Sequence, residues 1–348
     1  MKIFFIKKNI LKTMAYDLDR NILILSEEED ISTNSVMEWI NSFGYNVIRL
    51  NEKTKIKIID IDFNNDEIHI EKDLSEKILI SKNHIHSFWY RRGLFNLHIE
   101  KPLINESISE ITNNILFVRR KETELLNKYI FSITSELFHI GNYITDHDIN
   151  KLHNLNIAKK HGLTIPDSRI FTNKKSLGVF LNKHKKIILK PFTEGGIDYN
   201  TDFLYSKNGT TLLKKSSDID KYPDIFPPSF CQAYIEKKIE LRIFFLENQF
   251  FSSAIFSQSN PKTKIDFRNY DDENPNRIIP FNLPKSVSEK LIKMINSLKL
   301  TSGSIDMIYT KKNQFVFLEV NPVGQFQQVS YPCNYYIEKK IAKKLISK

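Results

Sequence analysis

Two short apolar runs near the C-terminus carry acids where a buried strand would carry another aliphatic residue. They are Gly303-Ser304-Ile305-Asp306-Met307-Ile308-Tyr309 and Phe315-Val316-Phe317-Leu318-Glu319-Val320-Asn321-Pro322. Both are rich in β-branched and aromatic residues and read as strands. A turn centred on Lys312-Asn313 makes them a hairpin, and its register sets residue 306 against 319 and residue 308 against 317. With side chains alternating between faces, Glu319 and Asn321 share one face while Val316, Leu318 and Val320 take the other. Two carboxylates opposed on a sheet repel, and a bound cation turns that repulsion into attraction. Two carboxylates and an amide oxygen form an oxygen set suited to Mg²⁺. The alternative is a surface hairpin whose acids face water.

At 348 residues and 41% hydrophobic, the chain can bury a full core, and its length implies two or three domains. No stretch of about 18 apolar residues occurs, so no membrane span is expected. The opening Met1-Lys2-Ile3-Phe4-Phe5-Ile6-Lys7-Lys8 has too short an apolar run for a signal peptide and lacks a small-residue cleavage site. Met14-Ala15 offers a second start, which would make residues 1–13 an extension. Cys231 and Cys333 lie far apart without metal-ligand spacing, and a reducing cytoplasm is the expected location. The net charge of +10 raises nucleic-acid binding. The lysines are scattered in pairs, however, including Lys7-Lys8, Lys214-Lys215 and Lys339-Lys340. That pattern fits a solvated surface, or a cationic cleft for phosphate or an acidic substrate. No nucleic-acid partner is expected.

Asn21–Ser26 reads as a buried strand. A helix follows from Ser32 to Phe43, with Ser32 as cap, Val36, Trp39, Ile40 and Phe43 on one face, and Gly44 as terminator. A second strand over Tyr45–Leu50 completes a β-α-β start, the mark of a small open α/β domain. The stretches Lys55–Phe63 and Glu67–Glu71 form a hairpin around Asn64-Asn65-Asp66. Ser87-Phe88-Trp89-Tyr90-Arg91-Arg92 reads as a strand ending in two arginines, one of which contacts a substrate or closes a structural ion pair. Ile104, Ile108, Ile111, Ile115 and Val118 share one helical face, and the domain boundary falls in this helical connection.

Further on, Lys151–Lys160 fits a helix stopped by Gly162. Lys186-Ile187-Ile188-Leu189-Lys190-Pro191 is a strand that ends on a lysine, and Gly195-Gly196 follows in a chain with only 10 glycines. Such a pair suits a phosphate-contacting loop or a lid. Phe230–Ile235 and Ile239–Leu246 are strands, and Glu240, Arg242 and Phe244 share a face of the second. Its acid and arginine read either as a cross-strand salt bridge or as a nucleotide-handling pair. A return strand covers Phe250–Phe256.

Taken in order, "NKLHNLNIAKKHGLTIPDS", "ILKPFTEGG", "CQAYIEKKIELRIFF", "GSIDMIY" and "FLEVNPVGQF" resemble the ATP-grasp superfamily over residues 146–348. "SFWYRRG", "EVNPVGQF" and "VSYPCNYYIEKKIA" are similar to the maturases of graspetides, the microviridin-type cross-linked peptides, and most of all to those of grasp-with-spasm systems. Gln327-Gln328 departs mildly from that pattern. The resemblance implies an α/β (α+β) ATP-grasp fold. Residues 1–118 would form the N-terminal pre-ATP-grasp α/β domain and 119–147 the helical connection. Residues 148–230 would form the central subdomain with its lid, and 231–348 the C-terminal antiparallel-sheet domain.

The resemblance also implies the roles. Lys151 and Lys190 would bind the ATP phosphates, with Gly195 and Gly196 as lid. Backbone groups at Gln232, Tyr234 and Ile235 would meet the adenine, and Glu240 the ribose. Asp306, Glu319 and Asn321 would hold Mg²⁺, while Arg242 and Arg268 act with Lys190 near the transferring phosphate or the substrate carboxylate. The implied reaction activates an Asp or Glu side chain of a ribosomal precursor peptide as an acyl phosphate. A Ser or Thr hydroxyl or a Lys amine then forms an ω-ester or ω-amide, with ADP and phosphate released. The leader of that peptide would bind away from the chemistry, and a homodimer is compatible with the resemblance. An ATP-grasp ligase adding an amino acid such as glutamate to a protein tail or a small molecule is the alternative. A non-catalytic nucleic-acid or peptide-binding protein is the remote one.

Overall fold

The computed structural model describes residues 20–98, 109–192, 210–220, 222–269 and 271–347. Gly195, Gly196 and the proposed extension 1–13 lie outside the described residues. The chain divides into two compact units, Met1–Ile144 with Tyr336–Lys348, and Thr145–Tyr335.

The first unit begins with β1 (Asn21–Leu25), α1 (Ile31–Ser42) and β2 (Asn46–Leu50), the expected β-α-β start. Asp30, rather than Ser32, caps α1, accepting a hydrogen bond from the Ser32 N–H. A carboxylate at this position both accepts from the helix amides and complements the positive end of the helix dipole. Gly44, at φ +81°, ends the helix. β3 (Ile56–Asp62), β4 (Glu67–Lys72) and β5 (Glu76–Ile80) form an antiparallel sheet, so the expected hairpin gains a third strand. β6 (Ser87–Tyr90), α2 (Ser109–Thr134) and β7 (Phe138–Ile140) follow. β2, β1, β6 and β7 lie in that order in a parallel sheet. Of the two arginines after β6, Arg91 is buried, and its Nε donates to Asp30 Oδ2 at 2.8 Å. It closes a structural ion pair.

α3 (Tyr143–His147) spans the division between the units. The second unit continues with α4 (Lys151–Lys160), β8 (Ser168–Asn173), α5 (Lys174–His184), β9 (Ile187–Lys190), β10 (Thr211–Leu213), α6 (Ser217–Asp220) and β11 (Ile225–Ala233). Strands β10, β9, β11 and β8 form an antiparallel sheet. Phe171, Phe180, Leu181, Ile187, Leu189 and Phe226 build the core it shares with α5. Cys231 joins that core, and burial pushes its thiol up to about 12, which makes it an inert apolar residue.

The rest of the unit comprises β12 (Lys237–Leu246), β13 (Gln249–Ile255), β14 (Ile278–Pro280), α7 (Lys285–Ser297), β15 (Ser302–Thr310), β16 (Phe315–Asn321) and α8 (Gln327–Cys333). The strand order is β14-β13-β12-β15-β16. One sheet face packs Leu241, Ile243, Phe245, Ile305, Phe317 and Val320 with Leu155 of α4 and Leu291 and Met294 of α7. α9 (Ile337–Ile346) then returns to the first unit, where it packs against α1.

The C-terminal hairpin keeps one expected pairing and breaks the other. Asp306 is opposite Glu319, but Met307 then pairs with Phe317 and Ile308 with Val316. Leu318 is therefore the extra residue of a β-bulge, which shifts the register by one. The bulge corrects the face assignment. Phe317 and Val320 enter the core, whereas Leu318 stays with Glu319 on the opposite side, lining a cleft.

Candidate active site

A cleft opens between the two sheets of the second unit, and the space between its walls, open solvent included, is about 670 Å³. Lys190, Gln232, Tyr234, Ile235, Glu240, Arg268, Asp306 and Glu319 all line it. These are eight of the residues singled out from the sequence. Local structure sets both lysines in place. Lys190 is the last residue of β9, where the strand delivers its side chain past the sheet. Lys151 is the first residue of α4, set there by the Asn150 cap, which accepts from the Leu152 and His153 N–H groups. α4 packs against β16, and Lys151 Nζ lies 3.9 Å from Glu319 Oε2.

The acid pair sits among cations. Arg242 Nη1 donates to Asp306 Oδ1 at 2.7 Å, across the β12–β15 register that pairs these two residues. Arg268 Nη1 donates to Glu319 Oε1 at 3.2 Å. The two acids titrate in opposite directions. Burial pushes Asp306 above the ordinary carboxylate range, and the neighbouring Glu319 charge adds to this against the pull of Arg242 and Arg268. Burial also acts to raise Glu319, but Lys190, Arg268, Lys151 and Arg242 together outweigh it and hold the carboxyl low. Lys190 is held below the ordinary lysine range, chiefly by burial.

Asn321 continues β16 opposite Ser304, and its Oδ1 accepts from the Val323 N–H at 3.0 Å. The tight turn that follows requires Gly324. A Cβ there would stand 2.2 Å from Ser304 Oγ, closer than any real contact. The donor set fits a hard divalent cation: two opposed carboxylates, already requiring positive charge, and an amide oxygen whose two lone pairs allow a bond besides that from Val323. No group of three His, Cys, Asp or Glu side chains suited to a metal occurs among the described residues. An ion here would complete its shell with oxygens of a ligand and water.

At the other end of the cleft, Glu240 Oε1 accepts from Lys237 Nζ at 2.7 Å and from Ser257 Oγ at 2.5 Å. Burial raises the Glu240 carboxyl above its usual range despite the Lys237 charge. Between β11 and β12 the chain passes through Tyr234 and Ile235. The Tyr234 N–H donates to the Lys186 carbonyl at 3.1 Å. The Ile235 N–H has no hydrogen-bond partner among the described residues.

Sequence reasoning missed Asp266, Thr210 and Lys237. Asp266 fixes Arg268 by accepting from Nε and Nη2, each at 2.9 Å, and from the Arg268 N–H at 3.1 Å. Thr210 Oγ1 donates to Asp266 Oδ2 at 3.3 Å. The signal was present in "IDFRNY", an acid two residues before an arginine, but no strand or helix pattern fixed its direction. In this turn the two side chains meet.

No protein-family model matches the chain, and no curated protein matches it. Solved structures do. A RiPP-associated ATP-grasp ligase of Chryseobacterium gregarium, in complex with ADP and a leader and core peptide, superposes with a TM-score of 0.73 at 24% identity, covering 94% of this chain and 95% of that one. The macrocyclase MdnC from Microcystis aeruginosa, bound with precursor peptide MdnA, gives a TM-score of 0.72 at 25% identity, covering 94% of this chain and 100% of that one. The ATP-grasp ligase PsnB, complexed with minimal precursor, Mg and ADP, gives 0.67 at 15% identity, with 95% and 97% covered. These superpositions span nearly the whole of each chain: the chain has the ATP-grasp fold, in the form taken by the RiPP-associated ATP-grasp ligases.

Proposed function

We propose that this chain is an ATP- and Mg²⁺-dependent peptide ligase that joins side-chain carboxylates of a ribosomal precursor peptide to hydroxyl or amine side chains of the same peptide. One observation carries the reading. The opposed acids Asp306 and Glu319 share a cleft with Lys190, Arg268 and Glu240, and Lys151 and Arg242 adjoin it through ion pairs. The leader, core and precursor peptides bound by the similar ligases support a peptide partner.

A carboxylate is a poor acyl donor at neutral pH, because oxide or hydroxide is a poor leaving group. Attack of a substrate carboxylate oxygen on the γ-phosphorus of ATP, with ADP leaving, gives an acyl phosphate. Attack of a hydroxyl or amine on the acyl carbon then expels phosphate. One water is lost from the peptide for each bond made. Phosphoryl transfer leaves a protein chiefly with positioning and charge neutralisation, and this cleft is equipped for both.

Glu240 takes the ribose, and the Ile235 N–H, without a partner among the described residues, faces the adenine. Lys151 and Lys190 hold phosphate oxygens. Mg²⁺, when bound by Asp306, Glu319 and Asn321, would neutralise the triphosphate charge. Arg242 and Arg268 receive the substrate carboxylate beside the transferring phosphoryl group. The Arg242 Nε is buried without a hydrogen-bond partner among the described residues, a costly state that an anionic ligand would relieve.

Mass spectrometry of a candidate precursor peptide after incubation with enzyme, ATP and Mg²⁺ tests the proposal. Loss of one water mass per linkage is expected. Gain of an amino-acid mass would instead mark an amino-acid ligase. Nucleotide turnover indifferent to Mg²⁺ would overturn both readings.

A further inference from the structure

Lys237 is among the most deeply buried charged residues of the second unit, 2% exposed, and the reaction above gives it no role. Burying an ammonium group is costly unless its charge and protons are met. Here they are met from two directions. Nζ lies 2.7 Å from Glu240 Oε1 and donates to the Ile265 carbonyl at 3.0 Å.

Residues three apart on a regular strand point to opposite faces. Lys237 and Glu240 meet because the β12–β15 ladder shifts register between Lys237 and Ile239. The bulge rotates Lys237 onto the cleft side, where both residues line the wall. Ser257 Oγ donates to the same Glu240 Oε1. Oε2 makes no hydrogen bond among the described residues. One carboxylate oxygen is gripped from behind and the other is left to a ligand.

The second contact of Lys237 points elsewhere. Ile265 immediately precedes Asp266, the residue that fixes Arg268 through Nε, Nη2 and the backbone N–H. A single buried ammonium therefore spans from the carboxylate at one end of the cleft to the loop that carries an arginine at the other.

We infer that Lys237 is a positioning residue: it holds the Glu240 carboxylate aimed at the ribose hydroxyls, and it anchors the loop that presents Arg268. The inference rests on the nucleotide reading given above.

The test compares KM and kcat for ATP and 2′-deoxyATP in the full-length enzyme and in K237M, K237Q, E240Q and the K237M/E240Q double variant. K237M is expected to raise KM for ATP about 10- to 100-fold, the cost typical of losing the outer partner that orients a metal ligand, a comparable orienting task. It is also expected to erase the preference for ATP over 2′-deoxyATP as fully as E240Q does. The double variant should lose no more of that preference than E240Q alone. K237Q keeps a donor without the charge and is expected to lose part of the preference, so the comparison survives a K237M chain that fails to fold. A wild-type preference in K237M or K237Q, with the preference lost in E240Q, overturns the inference alone. A wild-type preference in E240Q overturns the ribose assignment and this inference together. Water loss from the peptide in E240Q would then show that the ligase reading itself stands.

Discussion

Asp306 and Glu319 stand opposite one another on β15 and β16, the first carboxylate buried and the second half-buried, and the register holds them face to face. Left to themselves they would repel. Arg242 and Arg268 each take one of them, so the cluster survives as a balanced set of charges.

Neutralising either acid is expected to lower cross-linking about 100-fold or more, the range seen when one charge-stabilising group leaves an active site. Product mass spectra of D306N and E319Q, with circular dichroism to confirm folding, check this. The stability effect has a defined sign for Glu319. Burial alone would raise its carboxyl, but the surrounding cations hold it low in the folded chain. Its contribution is therefore complete above the unfolded glutamate range and is lost as pH falls through the folded value. Melting temperatures of E319Q should vary less with pH on the acid side than those of the wild type.

With Lys190 on a phosphate, as proposed, nucleotide binding should be proton-linked. Burial holds its ammonium below the ordinary lysine range, with Glu319 and Asp266 opposing and Arg268 and Lys151 assisting. An anionic phosphate favours the protonated form, so ATP binding should take up protons and weaken as pH rises through the value in the free enzyme. Calorimetry in buffers of different ionisation enthalpy reads the uptake directly. K190R should abolish it, because arginine stays charged throughout.

In the first unit, Asp30 both caps α1 and pairs with buried Arg91. Removing one partner of a buried ion pair costs about 3–5 kcal/mol. D30A is expected to fall in that range by urea denaturation, and D30N to fall less, since asparagine still caps. Burial opposes ionisation of Asp30, but Arg91 and the Ser32 and Thr33 hydrogen bonds outweigh it. The stability it provides should disappear as pH drops through that lowered value.

Gly324 leaves no room for a side chain against Ser304. G324A is expected to push the turn away from β15 and to destabilise by about 1–3 kcal/mol, as overpacking does. It should also depress Mg²⁺-dependent turnover, because the same turn is braced by Asn321 Oδ1. Titration of activity with Mg²⁺ would show a higher half-saturating concentration. An unchanged metal requirement would detach the turn from metal binding.

The order of strands and helices was legible because alternation and capping are local signals. The helix of Lys151 and the strand ending at Lys190 fall where the pattern placed them. The facing of Asp306 and Glu319 was also legible. The bulge at Leu318 was not, since Phe315, Val316, Phe317 and Leu318 are all apolar and no polar residue reports the face. Ser32 was mistaken for the cap because Asp30 and Ser32 are both good cap residues, and only the three-dimensional partner Arg91 separates them. Asp266 and Lys237 escaped notice for a common reason. Their roles depend on a turn and a register shift, which have no periodic signature.

The backbone of Thr164 bridges to Val316, and its carbonyl accepts from the Phe317 N–H at 2.8 Å. This staple moors the end of α4 to the strand that bears Glu319. Any opening that carries the β10-β9-β11-β8 sheet away would take Lys190 with it, yet leave Lys151 beside the acids. Of the charged cluster only Lys190 rides on that sheet, while Lys151, Arg242, Arg268, Asp306 and Glu319 would stay together as one pre-wired set.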